Sequence, residues 1–179
     1  RRIAKEIRRA IFTAQPILLR HHADADGICS AVAIEQAVVA LINESGGDYD
    51  TANYLFKRAP SKAPFYEIED IVRDLDYATR DNIRFGQKMP LIVLTDNGST
   101  EEDLPAMKMA QVYGIPMIVF DHHHPDAIVD QYLCAHVNPY HVGGDYGITA
   151  GMLGTEIARL IYPPIDPQIR HIAAVAGVA

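Results

Sequence analysis

Apolar and polar positions alternate along this chain in two different periods. Ile3, Ile7 and Ile11 recur at helical spacing opposite Arg1, Lys5, Arg8 and Arg9, which predicts a helix over 3–14 that Pro16 ends. A short apolar strand over 17–20 follows. Ile28, Val32, Ile34, Val38, Val39 and Ile42 then predict a largely buried helix over 28–43, closed by Gly46-Gly47. The pattern continues as a strand near 52–56, a basic loop with two prolines over 57–64, and a charged helix over 66–79. Strand 91–95, helix 101–112, strand 117–120, a short strand at 135–137, and helices over 149–161 and 167–175 complete it. This alternation of period predicts an α/β fold: a mostly parallel sheet with helices on both faces. No internal repeat and no low-complexity segment interrupts it.

With 179 residues and 49% apolar content, the chain has the material for one substantial core, so a single domain is expected. A net charge of -7 argues against a general polyanion binder, whose surface carries a basic field, unless bound metal supplies positive charge locally. Cys29 and Cys134 stand in no CxxC pattern and read as reduced thiols of a cytoplasmic protein. There is no run of 18 or more apolar residues and no signal-peptide pattern, so no membrane role is expected. The first residue is Arg1, and the stretch from Ile172 to Ala179 is apolar without a polar stop, so the chain reads as part of a longer protein.

The chemistry lies where strands end. Three apolar stretches run straight into metal-type ligands: Ile17 to Arg20 into His21-His-Ala-Asp-Ala-Asp-Gly27, Leu91 to Thr95 into Asp96, and Met117 to Phe120 into Asp121-His-His-His124. In a parallel sheet they would share one edge, where open α/β folds bind ligands. An EF-hand fails because Ala33 stands where the bidentate Glu belongs, and a zinc finger fails for want of thiolates. Mixed carboxylate and imidazole ligands, with one Asp able to bridge, fit two divalent ions such as Mn²⁺, or Mg²⁺ where histidine matters less. An Asp at the end of an apolar strand is often only a helix cap, and it is the joint occurrence of three such runs that favours a shared metal site.

These motifs resemble those of the DHH phosphoesterase family. His22-Ala-Asp-Ala-Asp-Gly27, Asp96 in Leu-Thr-Asp-Asn-Gly98, and Asp121-His-His123 match its first three motifs in order and in position after strands. Asn97 to Asp103, Asp121 to Pro125, and Val137-Asn-Pro-Tyr140 followed by Gly143 to Gly151 are similar to archaeal RecJ-like proteins. The resemblance covers the chain from about Ile17 onward and implies an N-terminal DHH catalytic domain, followed in the family by a substrate-binding lobe. It further implies that His22 and Asp24 hold one metal, Asp26 and His122 the other, and that Asp96 bridges. Asp121 would orient the histidine pair, and His123 would face the scissile phosphate. The family's fourth motif, an Asp after a small-residue stretch, is expected beyond Ala179. The implied function is a RecJ-like exonuclease on single-stranded DNA or RNA, in contact with replication or repair partners. A phosphodiesterase of short oligonucleotides or cyclic dinucleotides, and a non-catalytic replication scaffold, are the alternatives. A pyrophosphatase fits less well, because that group spaces its first motif more widely.

Other residues carry weaker signals. His21 and His124 flank the motifs as neighbours, and His136, His141 and His171 read as ordinary surface or core histidines. The loop of Gly143, Gly144, Asp145, Tyr146 and Gly147 could present backbone N–H groups to a phosphate. The competing reading makes Gly147, Gly151 and Thr155, or Ala150, Gly154 and Ala158, a small-residue face that lets a helix sit close to the sheet. Arg1, Lys5, Arg8 and Arg9 suit a solvated helix face. Lys57, Arg58 and Lys62, on a loop stiffened by prolines, could reach substrate phosphates.

Overall fold

The computed structural model describes residues 1–178. Five strands form one all-parallel sheet: β1 (Ile17–His22), β2 (Phe56–Ser61), β3 (Leu91–Thr95), β4 (Met117–Phe120) and β5 (Ala135–Val137), in the order β2-β1-β3-β4-β5. Helices cover both faces, as the alternating pattern predicts. On one side lie α1 (Arg2–Phe12), α2 (Ala25–Glu44) and α6 (Ala150–Ile161), with α7 (Asp166–Ile169) and α8 (Ile172–Ala176) beyond them. The other side carries α4 (Ile68–Phe85) and α5 (Leu104–Val112), while α3 (Tyr49–Leu55) leads into the edge strand β2.

Strand alternation divides the core in two. Ile17, Leu19, Leu91, Val93, Ile118 and Phe120 face the α2 side, and Leu18, Ile92, Leu94, Met117 and Val119 face the α4 side. β3 and β4 are buried at every position, the near-continuous apolar run of a central parallel strand. α2 is long and apolar enough, by length and composition, to cross a membrane; half of its most apolar window is buried inside this fold.

The elements differ from the sequence pattern in several places. Residues 49–55 form a helix, and the strand placed near 52–56 falls instead on 56–61, where a loop is expected. Pro60 is tolerated there because β2 is an edge strand with only β1 beside it. β1 runs on to His22, two residues past its apolar stretch, because His21 and His22 still pair with Pro60 and Ser61. The helix expected over 167–175 is broken into α7 and α8. Ala179, at which the fourth-motif expectation is anchored, lies outside the described residues.

Two features set the position of α4 and α6. Arg20, 4% exposed, points from β1 into the α4 side, where its guanidinium meets Asp74 and Asp70 and Tyr66 donates to Asp74 at 2.7 Å. A buried cation of this kind is tolerated only because its N–H groups are matched by carboxylates and by the Pro60 carbonyl. On the opposite face α6 lies against α2. A Cβ at Gly154 would come 2.5 Å from Ser30 Oγ and 2.8 Å from its Cα. The small-residue face therefore serves close contact with a helix, α2, where the sequence pattern suggested the sheet.

Gly154→Ala tests which effect governs this contact. Helix propensity alone would make alanine more stable by about 1 kcal/mol. Overpacking against Ser30 costs about 1–3 kcal/mol, so we expect the urea midpoint to fall without change in slope, and a rise would refute the tight α2–α6 contact.

Candidate metal centre

A sheet ordered β2-β1-β3-β4-β5 reverses its winding between β1 and β3, and the crevice outside the strand carboxyl ends at such a reversal is where ligands bind. His22 ends β1, Asp96 directly follows β3, and Asp121 directly follows β4. Parallel register thus brings three sequence-distant motifs to one edge. Asp96 has φ 58°, a left-handed conformation that costs a non-glycine residue about 1–3 kcal/mol. Its side chain is 1% exposed.

Asp96 belongs to two ligand clusters at once. One contains His22, Asp24 and Asp96; the other contains Asp96, Asp121, His122 and His123; within each, the donor atoms lie within 4.8 Å of one another. The two oxygens of Asp96 face different partners. Oδ2 is 3.7 Å from His22 Nδ1, which is 2.9 Å from Asp24 Oδ2. Oδ1 is 3.3 Å from His122 Nε2, which is 3.6 Å from Asp26 Oδ2.

Several of these candidate ligands also hold the backbone. Asp24 is the N-cap of α2, accepting from Gly27 N at 2.9 Å, so the cap and ligand readings of this residue coexist. Asp26, in the first turn of α2, accepts from Ala150 N at 2.7 Å and Gly151 N at 2.8 Å, tying the start of α6 to the site. Those N–H groups are therefore not free to cradle a phosphate. Gly27 is required by close approach: a Cβ there would meet the His22 carbonyl at 2.3 Å and Asp96 Oδ2 at 2.9 Å.

The histidines are held in place by neighbours. Asp121 Oδ1 accepts from His122 N at 2.7 Å and pairs with His123 Nδ1 at 2.8 Å. Nδ1 of His122 lies 3.1 Å from the Tyr146 carbonyl, and the Tyr146 ring stacks on the imidazole at 4.5 Å, so Nε2 is the nitrogen turned to Asp96 and Asp26. Asn138 Nδ2 donates to the His123 carbonyl at 2.8 Å. Tyr146 and Asn138 lie in stretches whose similarity to RecJ-like proteins is legible, but no spacing rule assigns them these contacts.

The charges are poised for a cation. Burial pushes Asp96 up to about 6; His122 pulls it down, while the Asp24 and Asp121 charges push it further up. Its hydrogen-bonded Asp121 lifts His123 to about 9 against the opposing effect of burial. Burial would raise the Asp121 carboxyl, but His123, Ser99 and the His122 N–H hold it below the ordinary range. Both Asp96 oxygens, Asp121 Oδ2 and His22 Nδ1 are buried without a hydrogen-bond partner among the described residues. Orphaned carboxylate oxygens beside imidazoles, with no thiolate, are the donor set for divalent ions such as Mn²⁺ or Mg²⁺, so the residues fit such ions.

The remaining candidates lie apart. Lys57 and Arg58 are on β2, where alternation sends them to opposite sides: Lys57 pairs with Asp81 at 2.8 Å and Arg58 with Glu35 at 2.7 Å. The shared substrate loop expected of them is not formed; Lys62, exposed just past the end of β2, is nearest that role. Gly143, at φ 76°, closes a 3₁₀ turn over Pro139–Val142, and Gly144 packs on Pro139. His21 is buried, with Nδ1 2.7 Å from the His22 carbonyl, and His124 is exposed beside Tyr140.

Residues 16–176 match the DHH family, N-terminal domain. The chain is 52% identical over 182 residues to the uncharacterized protein MJ1198 of Methanocaldococcus jannaschii, covering 98% of this chain and 24% of that protein. Among solved structures it is similar to a DHH domain described as a member of the s1p family of ribosomal proteins, with 49% identity and a TM-score of 0.94 over 98% of this chain and 42% of that one. The chain thus spans less than half the length of these relatives. RecJ of Thermus thermophilus in complex with Mn²⁺ shares the fold at a TM-score of 0.67 and 16% identity, over 98% of this chain and 23% of that one. An exonuclease RecJ bound to manganese shares it at 0.71 and 17%, over 98% and 41%.

The buried charge has a cost with a definite sign. Because the folded-state value of Asp96 is raised from 3.8 to about 6, its penalty on the metal-free fold is absent below pH 3.8, grows to pH 6 and is complete above it. We expect Asp96→Asn to stabilise the metal-free protein by about 2–3 kcal/mol at pH 7.5. The same change should abolish most of the Mn²⁺-induced rise in melting temperature. A destabilised variant, or an unchanged Mn²⁺ response, would contradict the site.

Proposed function

The chain belongs to the DHH family, and from that premise we propose that it is the catalytic domain of a metal-dependent phosphodiesterase, a RecJ-like exonuclease acting on single-stranded DNA or RNA. One observation carries the reading: a single buried carboxylate, Asp96, belongs to two ligand clusters and turns one orphaned oxygen toward each. His22 and Asp24 would hold one ion with Asp96, and His122 and Asp26 the other. Two such ions, when bound, activate water and neutralise the charge of an in-line phosphoryl displacement.

The chain's own groups supply the rest. Asp121 holds His123 by Nδ1, which fixes the ring and leaves Nε2 to face substrate. In the metal-free chain Asp121 lifts His123 to about 9, so the ring carries a proton at neutral pH that it could donate to a phosphate oxygen or to the leaving oxygen. The Tyr146 carbonyl holds the His122 ring, and Asn138 holds the His123 backbone by its carbonyl. The RecJ structures bound to manganese, which share this fold, support the choice of metal.

The test is product analysis with Mn²⁺ on end-labelled single-stranded DNA and RNA of graded length, a cyclic dinucleotide and pyrophosphate. Stepwise release of mononucleotides from long strands is expected, abolished in Asp96→Ala. His123→Gln should lower kcat by about 10²–10⁴-fold while leaving Mn²⁺ binding in place. Cleavage of short substrates alone would move the protein to the oligonucleotide and cyclic-dinucleotide branch. Absence of any Asp96-dependent cleavage would favour a scaffold.

A further inference from the structure

Three residues outside the catalytic cluster meet at the far edge of the sheet. Asp130 comes from a 3₁₀ turn over Ala127–Tyr132, His136 from β5, and His141 from the 3₁₀ turn over Pro139–Val142. One donor atom from each lies within 4.8 Å of the other two. His136 Nδ1 is 2.7 Å from Asp130 Oδ1, and the His141 ring stands edge-on to His136 with centroids 4.6 Å apart at 88°.

We propose that Asp130, His136 and His141 form a second divalent-metal site, of the zinc or cobalt class, sharing no ligand with the site around Asp96. A hydrogen-bonded His–Asp pair needs no ion, and by itself would be only a satisfied side chain. The third donor distinguishes this cluster: the His141 side chain makes no hydrogen bond among the described residues, yet its ring is set against His136.

The surroundings favour a ligand role for His136. Its side chain is 5% exposed, and its other nitrogen, Nε2, lies 3.0 Å from Ser99 Oγ. A metal-ligating histidine has its second nitrogen held in this way by a neighbouring acceptor, which fixes the ring orientation. His141 is presented by a turn that is itself fixed, since Asn138 caps it by accepting from Tyr140 N at 3.1 Å and also donates to the His123 carbonyl.

Two imidazoles and a carboxylate with an open fourth position suit zinc or cobalt better than magnesium. Bonds of about 2.0–2.1 Å place tetrahedral ligands about 3.3 Å apart. The exposed His141 and Asp130 can close from their present spacing by side-chain rotation, while the buried His136 stays where Ser99 holds it.

Titration of the chain with Co²⁺, followed by visible absorption, and with Zn²⁺, followed by calorimetry, tests the proposal. Asp96→Asn disables the catalytic cluster and should leave one bound ion with tetrahedral-type cobalt absorption. Adding His141→Ala, or separately Asp130→Asn, should weaken that ion by at least ~10-fold and abolish its absorption. Both are exposed positions, so circular dichroism should remain that of the parent. Folded His141→Ala and Asp130→Asn variants that bind the same number of ions with the same affinity and spectrum would overturn the site. This readout does not depend on whether the protein hydrolyses phosphodiesters.

Discussion

A carboxylate that is buried, unpaired and held in a left-handed backbone conformation is the constraint around which this domain is built. Among the described residues Asp96 has no hydrogen-bond donor for either oxygen, and burial together with the Asp24 and Asp121 charges opposes its ionisation. Such a group persists in a fold only if something outside the chain offsets the cost of its ionisation or if its neighbours forbid escape. The second condition is met by the residues around it. Gly27 brings the first turn of α2 against Asp96, His22 and His122 face its two oxygens, and β1, β3 and β4 are locked in register on either side.

The same residues serve the fold and the site, which explains how a strained centre is kept in place. Asp24 caps α2, and Asp26 receives the first N–H groups of α6. A helix N-terminus favours a nearby negative charge, so both carboxylates suit these helix starts as well as the site. On the other face of the sheet, the Arg20, Asp70, Asp74 and Tyr66 network holds α4 against β1. Breaking it would leave a charge buried without a partner, which is far more costly than losing a surface ion pair.

Histidine geometry adds a second level of organisation. His122 and His123 are adjacent in sequence but are oriented by unrelated contacts, His122 by the Tyr146 carbonyl and ring, His123 by Asp121. Their charge states follow from these partners. The Asp121 pair raises His123 to about 9 in the metal-free chain, while His122 turns Nε2 toward the carboxylates.

Period and punctuation alone determined much of this protein: the α/β class, the central strands at 91–95 and 117–120, the long apolar helix after Gly27, and the placement of the candidate ligands from His22 to His123 at strand ends. Those features are legible because a strand's burial and a motif's place after it are written locally. Tertiary structure decided the rest. It made an edge strand of 56–61, where Pro60 reads as loop, and split Lys57 and Arg58 between opposite faces. It also turned the small-residue face of α6 toward α2, and it gave Tyr146, Asn138 and Ser99 their roles. It brought Asp130, His136 and His141 together from a turn, a strand and a second turn. None of these depends on the period of its own segment; each depends on which distant backbone arrives beside it, and only the register of the folded sheet sets that.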